Sequence, residues 1–282
     1  MKLVSFTHTG RVSWGSLDGE IIRDLGALEA STGRPLGAVL RNGDLRGIIE
    51  FAADAPILTR DTVDLLPPIP DAQKIICVGL NYADHIKEMN RPWPEKPVIF
   101  TRFADSLVGD GDDLVAPRNS MSFDYEGEFA VVIGRETRHV DASDALGHVL
   151  GYTIMNDGSL RDYQRHTSQF TPGKNFPRSG SLGPAIVTAD EFGAVGAQRI
   201  QTRVNGQTVQ DSTLDQLVFD VAHLVAYCSE WTTLHAGDII ATGTPGGVGD
   251  GRTPALWLAP GDVLEISIDG LGTLTSPVAV ER

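Results

Sequence analysis

Cysteine is nearly absent: only Cys77 and Cys228 occur in 282 residues. Neither has a partner at metal-ligand spacing, which excludes a disulfide framework and a thiolate metal site. Basic residues are scarce as well, 23 Lys plus Arg against 37 Asp plus Glu, for a net charge of −14. That field repels phosphate backbones and anionic lipid, so neither nucleic acid nor a membrane surface is expected as a partner. No window approaches eighteen consecutive apolar residues, and Met1–His8 lacks a basic stretch followed by an apolar run. A cytoplasmic protein is the expectation. Also missing are a Gly-x-Ser-x-Gly elbow, a His-x-x-x-His pair, internal repeats and low-complexity segments, so a serine hydrolase or zinc protease is poorly supported.

What is present is ordinary globular material, 41% hydrophobic and 21% charged, with enough length for a large core. Residues 2–6 and 11–14, followed by an Asp18-Gly19 turn and Ile21-Ile22, read as a small β-meander. A short helix is expected over 46–55. The proline-rich Leu65–Pro70 then marks a boundary between a small N-terminal α+β domain (1–70) and a larger one (71–282). In the larger part, apolar runs at 97–100, 129–133, 149–155, 184–188, 238–241 and 263–267 lack intervening helices, which favours a mainly β, mostly antiparallel mixed sheet over a parallel α/β fold. One amphipathic helix is expected at 214–229, from three- and four-residue apolar steps.

The stretch Phe123–Gly134 reads as one strand, which places Glu126 and Glu128 on the same face. Two carboxylates so placed either lie solvated at a strand end or share a hard divalent cation. Asp157, just past the apolar strand 149–155, is either part of an Asn-Asp-Gly turn or the third carboxylate of such a site. In Asn81–Met89, Asn81 suits an N-cap. His85 and Glu88, three apart on one ridge, form either a surface pair or an imidazole made basic by a carboxylate, as a general base for water requires. Lys174 follows in a short loop, either solvated or placed to stabilise charge on a substrate oxygen. The glycine-rich Ala241–Gly249 has no Gly-Lys-Ser/Thr ending and so no nucleotide signature, but its amides suit a nest for a carboxylate. Asp110-Gly111-Asp112-Asp113 reads as a turn.

Taken together, Val78–His85, Asp124–Glu128, Asn156–Asp162, Gly173–Phe176 and Thr242–Gly249 occur in an order that resembles the fumarylacetoacetate hydrolase family, from about residue 74 to the end. The resemblance implies a mixed β-sandwich or β-roll catalytic domain, usually a homodimer, with Mg²⁺ or Mn²⁺ in a cleft. By motif, Glu126, Glu128 and Asp157 take the metal positions, His85 and Glu88 the water-activating dyad, and Lys174 the polarising lysine. Tyr82, Arg102, Arg161, Gln164 and Thr244 fall where substrate contacts are implied. Gly158 and Leu160 replace the commoner Val and Ala, and Arg102 stands where Lys-Pro is usual, a change expected to alter the distal group accepted. The implied reaction is hydrolysis of a carbon–carbon bond in a 2,4-dioxo acid, giving pyruvate or a related 2-oxo acid plus a carboxylic acid. Residues 81–96 suit a lid. Decarboxylation of oxaloacetate or isomerisation of a hydroxy-diene dioate on the same site is the alternative, and a noncatalytic metal-stabilised binding module is an alternative of another class.

Overall fold

The computed structural model describes residues 1–88 and 92–282, so part of the lid expected over 81–96 lies outside the described residues. Among those described, twelve strands form the main sheet. Its path runs through Ile57–Thr59, Ile21–Arg23, Arg11–Asp18, Lys2–His8, Gly180–Thr188, Val149–Asn156, Gly127–Ile133, Ile239–Ala241, Ile75–Gly79 and Val98–Arg102. Most pairs are antiparallel, whereas Ile239–Ala241 lies parallel to Ile75–Gly79. A second sheet of five strands contains Gln207–Thr213, Arg199–Val204, Val263–Ile268, Gly272–Val280 and Leu114–Ala116. The mixed, mainly β architecture expected from the apolar runs is the one present. The sheet crosses residue 70 without a break, because Lys2 and Leu3 pair with Val187 and Ile186.

The central strand Gly127–Ile133 explains the sandwich. Phe129, Val131 and Ile133 pack toward Ile200, Leu264, Ile266 and Leu274 of the second sheet. Ala130 and Val132, on the opposite face, pack with Leu3, Trp14, Leu36 and Met155. Covered on both faces, the strand has no polar side beyond Glu128, which is why Phe129–Ile133 is an unbroken apolar run.

Three local expectations are corrected. The stretch 123–134 is not one strand: Phe123–Asp124 pairs with Ser159–Leu160, and a new strand begins at Gly127. Between them the Glu126 amide donates to the Asn156 side chain instead of to a ladder. The helix expected at 214–229 begins at Val221 and ends at Trp231, because the Asp220 carboxylate caps it by accepting from the His223 amide. Leu214, Leu217 and Val218 precede it. The helix expected at 46–55 is a turn and a half, Leu45–Ile49, preceded by an unforeseen helix at Leu36–Arg41. Short elements like these carry too few periodic positions for an apolar pattern to delimit.

Candidate metal centre and cleft

Strand register builds the acidic cluster. Gly127 pairs with Asn156, so the residues just outside the pair, Glu126 and Asp157, lie side by side, and the Asp157 amide donates to the Glu126 carbonyl at 2.9 Å. Glu128 enters one step along the same strand. The result is three buried carboxylates whose ligand oxygens all lie within 4.8 Å of one another. Oxygen ligands at roughly 2.0–2.6 Å from one hard cation span a sphere of about that size.

The surrounding charges are unequal. Lys174, the last residue of the short helix Thr171–Lys174, is 1% exposed and bonds Glu126 at 2.7 Å and Asp157 at 2.6 Å. Arg161 donates to Asp124 at 2.8 Å and is ion-paired with Glu126 at 2.7 Å. Burial alone would raise the Glu126 pKa, but Lys174 and Arg161 outweigh it and hold the carboxyl down at about 2. Among the described residues, Glu128 receives only the Gly243 amide, at 3.0 Å. Burial, reinforced by Asp157 and Glu126, pushes its carboxyl well above the ordinary value. The cluster therefore has an uncompensated negative charge centred on Glu128, and an all-oxygen donor set of this kind fits a hard divalent ion.

A proton and an ion compete for Glu128, so its raised pKa has a measurable consequence. Metal binding is expected to release up to one proton per chain and to tighten as pH rises through that pKa. Calorimetric titration in buffers of different ionisation enthalpy reads the proton directly. No release at any pH would show that Glu128 is not a ligand.

Glu126 and Glu128 line a cleft of about 490 Å³ together with His85, Arg161, Gln164, Lys174 and Thr244, and Asp157 lies buried beside them. His85, on the helix Ala83–Glu88, has Nδ1 3.3 Å from the Glu88 carboxylate. Glu88 is fixed in turn by the Gly247 amide at 3.0 Å. Burial would raise its pKa, but these bonds prevail and lower it, keeping the carboxylate charged. With Nδ1–H donated to Glu88, the imidazole presents Nε2 as a proton acceptor. Gln164 accepts from Arg161 at 3.0 Å, and the Thr244 hydroxyl is tied to the Gly127 carbonyl at 2.9 Å.

Two residues expected at the substrate lie elsewhere. Tyr82 is wholly buried and does not line the cleft. Arg102 is buried behind the acidic cluster, where Nη1 donates to Asp157 at 2.7 Å and to the Gly158 carbonyl at 2.9 Å, while Nε reaches Ser106 and Nη2 reaches Ser179. The distal-group role assigned to Arg102 is thereby corrected: its side chain orients a carboxylate and cannot reach a ligand. Gly158 is required beside it, since a Cβ there would stand 1.9 Å from the Ser179 carbonyl. Arg102→Met is expected to weaken metal binding about 10- to 100-fold, with partial rescue by Arg102→Lys. Unchanged affinity on calorimetry would mean that Lys174 alone holds Asp157.

Other side chains were also read differently by sequence alone. Asn81 caps nothing; its amide joins Phe219 and Thr242 at 2.7–3.0 Å. The glycine-rich loop does receive carboxylates, but they are the protein's own: Gly243 binds Glu128, Gly247 binds Glu88, and Gly249 and Asp250 bind Asp124. Asp124, fully buried, anchors Arg161 and was not foreseen. The one available hint was its spacing, two residues before Glu126.

Three buried carboxylates whose oxygens converge beside a cleft lined by cationic side chains form the kind of site that suits a divalent metal ion. Residues 74–279 match the family model described as fumarylacetoacetate (FAA) hydrolase C-terminal, and the chain belongs to that family. It is 39% identical to "Oxaloacetate tautomerase fahd2, mitochondrial" of Xenopus laevis, over 99% of this chain and 90% of the relative. Among solved structures, a fumarylacetoacetate hydrolase from Exiguobacterium antarcticum is 38% identical, with full coverage of both chains and a TM-score of 0.86. Maleylpyruvate hydrolase from Sphingobium sp. SYK-6, in complex with manganese(II) and pyruvate, is 27% identical, also with full coverage, and has a TM-score of 0.83. Among the described residues, no helix is long and apolar enough to cross a membrane.

Proposed function

We propose that the chain acts on a small 2-oxo acid by stabilising its enolate, and that the net reaction is interconversion of the keto and enol forms of oxaloacetate or a close analogue. The observation that carries the reading is a buried acidic triad, two of whose members, Glu126 and Glu128, line one cleft with Lys174 and with His85, the imidazole paired to Glu88. The relatives named oxaloacetate tautomerase support the choice of net reaction. Glu126, Glu128 and Asp157 would hold Mg²⁺ or Mn²⁺, which when bound supplies Lewis-acid polarisation of the keto group.

The chain's own groups do the rest. Lys174 places an ammonium at the cleft floor, where negative charge develops on the enolate oxygen. Arg161, held by Asp124, keeps Glu126 ionised and in place. His85 Nε2 takes a proton from the carbon beside the keto group, and Glu88 stabilises the imidazolium that forms. Return of that proton to oxygen gives the enol, and return to carbon gives the keto acid.

Hydrolysis of a 2,4-dioxo acid is the second reading, favoured by the His85–Glu88 pair, which is equally able to deprotonate a water for attack on the distal carbonyl. Purified protein with Mg²⁺ or Mn²⁺ separates the two when enol absorbance is followed and products are quantified. Accelerated loss of the oxaloacetate enol with oxaloacetate recovered intact supports tautomerisation. Pyruvate plus a carboxylic acid from an acylpyruvate selects hydrolysis, and pyruvate plus CO₂ from oxaloacetate selects decarboxylation. Binding without consumption of either substrate would overturn catalysis and leave a binding module.

A further inference from the structure

The cleft is lined by three cationic side chains among the described residues, Arg161, Arg165 and Lys174, and they are not equivalent. Lys174 and Arg161 are 1% and 4% exposed, and each is shared between two carboxylates of the protein. Both therefore sit at the acidic cluster, at one end of the cleft. Arg165 follows the turn of helix Arg161–Gln164 and sits where the cleft meets solvent, with 58% of its side chain exposed. It is paired with Asp250 through a single guanidinium nitrogen, so most of its five N–H donors are left over. The Asp250 side chain is only 9% exposed and keeps its hold on that one nitrogen, while the exposed guanidinium is free to add a second carboxylate through its remaining donors. Guanidinium is also the side-chain group best matched to a carboxylate's two oxygens.

The geometry points to Arg165 as the receptor for a second carboxylate, at the end of the substrate remote from the acidic cluster, so that the site selects 2-oxo dicarboxylic acids over 2-oxo acids with a neutral tail. This assignment rests on the 2-oxo acid reading above and deepens it. The acid function at one end of the molecule meets the cluster and Lys174, while the other extends toward Arg165 at the mouth. Asp250 holds the guanidinium at the cleft from a fixed position, since its own amide donates to Asp124 at 3.0 Å.

Binding of unreactive analogues tests this without requiring turnover. Calorimetric titration of the Mg²⁺-loaded protein compares malate, which carries a 2-hydroxy acid end and a distal carboxylate, with its 4-monoamide and with oxalate, which has no distal group. The native protein is expected to bind malate about 10- to 100-fold more tightly than the monoamide. Arg165→Gln is expected to bring malate down to the monoamide's level with little change for oxalate, and Arg165→Lys to retain part of the preference. Absence of any preference in the native protein, its survival in Arg165→Gln, or an equal loss for oxalate would overturn the assignment. A protein that shows the preference yet converts no oxaloacetate would leave it standing and remove only the proposed reaction.

Discussion

Lys174→Met is expected to lower turnover by about 10²–10³-fold, the usual loss when a preorganised charge at a developing oxyanion is removed. The same substitution takes from Glu126 and Asp157 the ammonium they share at 2.7 and 2.6 Å. Breaking a buried ion pair on one side costs about 3–5 kcal/mol, so the metal-free variant is expected to melt well below the native protein. A divalent ion should restore much of that stability, because the variant's cluster carries one more uncompensated charge. Metal affinity is therefore expected to hold or rise while turnover falls, and that opposition is the signature of a group acting on substrate. A parallel loss of metal binding and turnover on calorimetry and kinetics would instead make Lys174 a structural support for the cluster.

His85→Gln is expected to reduce turnover by about 10²–10⁴-fold with metal affinity retained, since glutamine keeps the hydrogen-bonding capacity and loses the titratable nitrogen. Glu88 sits 3.3 Å from the imidazole and is itself held by Gly247, so Glu88→Gln should show a smaller loss. Undiminished turnover in His85→Gln would remove the dyad from the mechanism.

What could be read from residues alone divides along physical lines. For the carboxylates, the His85–Glu88 pair and Lys174, local spacing leaves a solvated alternative open and the resemblance supplies the roles; the fold brings the three carboxylates together and sets Lys174 against two of them. Arg102 was misjudged because its partner Asp157 is 55 positions away and nothing local reports burial of a guanidinium. Asp124 was passed over for the same reason, its bonds being to Arg161, Gly249 and Asp250. The break at Tyr125–Glu126 left no apolar trace, since it is made by one side chain, Asn156, capturing one amide. Likewise the glycine-rich loop offered free amides on paper, and only the fold shows that Glu128, Glu88 and Asp124 occupy them.

Anomalous diffraction from crystals of the native protein grown with Mn²⁺ bears most directly on the whole account. A single strong peak between the carboxylate oxygens of Glu126, Glu128 and Asp157, absent from Asp157→Asn crystals prepared identically, is the predicted result. A manganese peak elsewhere in the cleft, or one that persists in the variant, would contradict it.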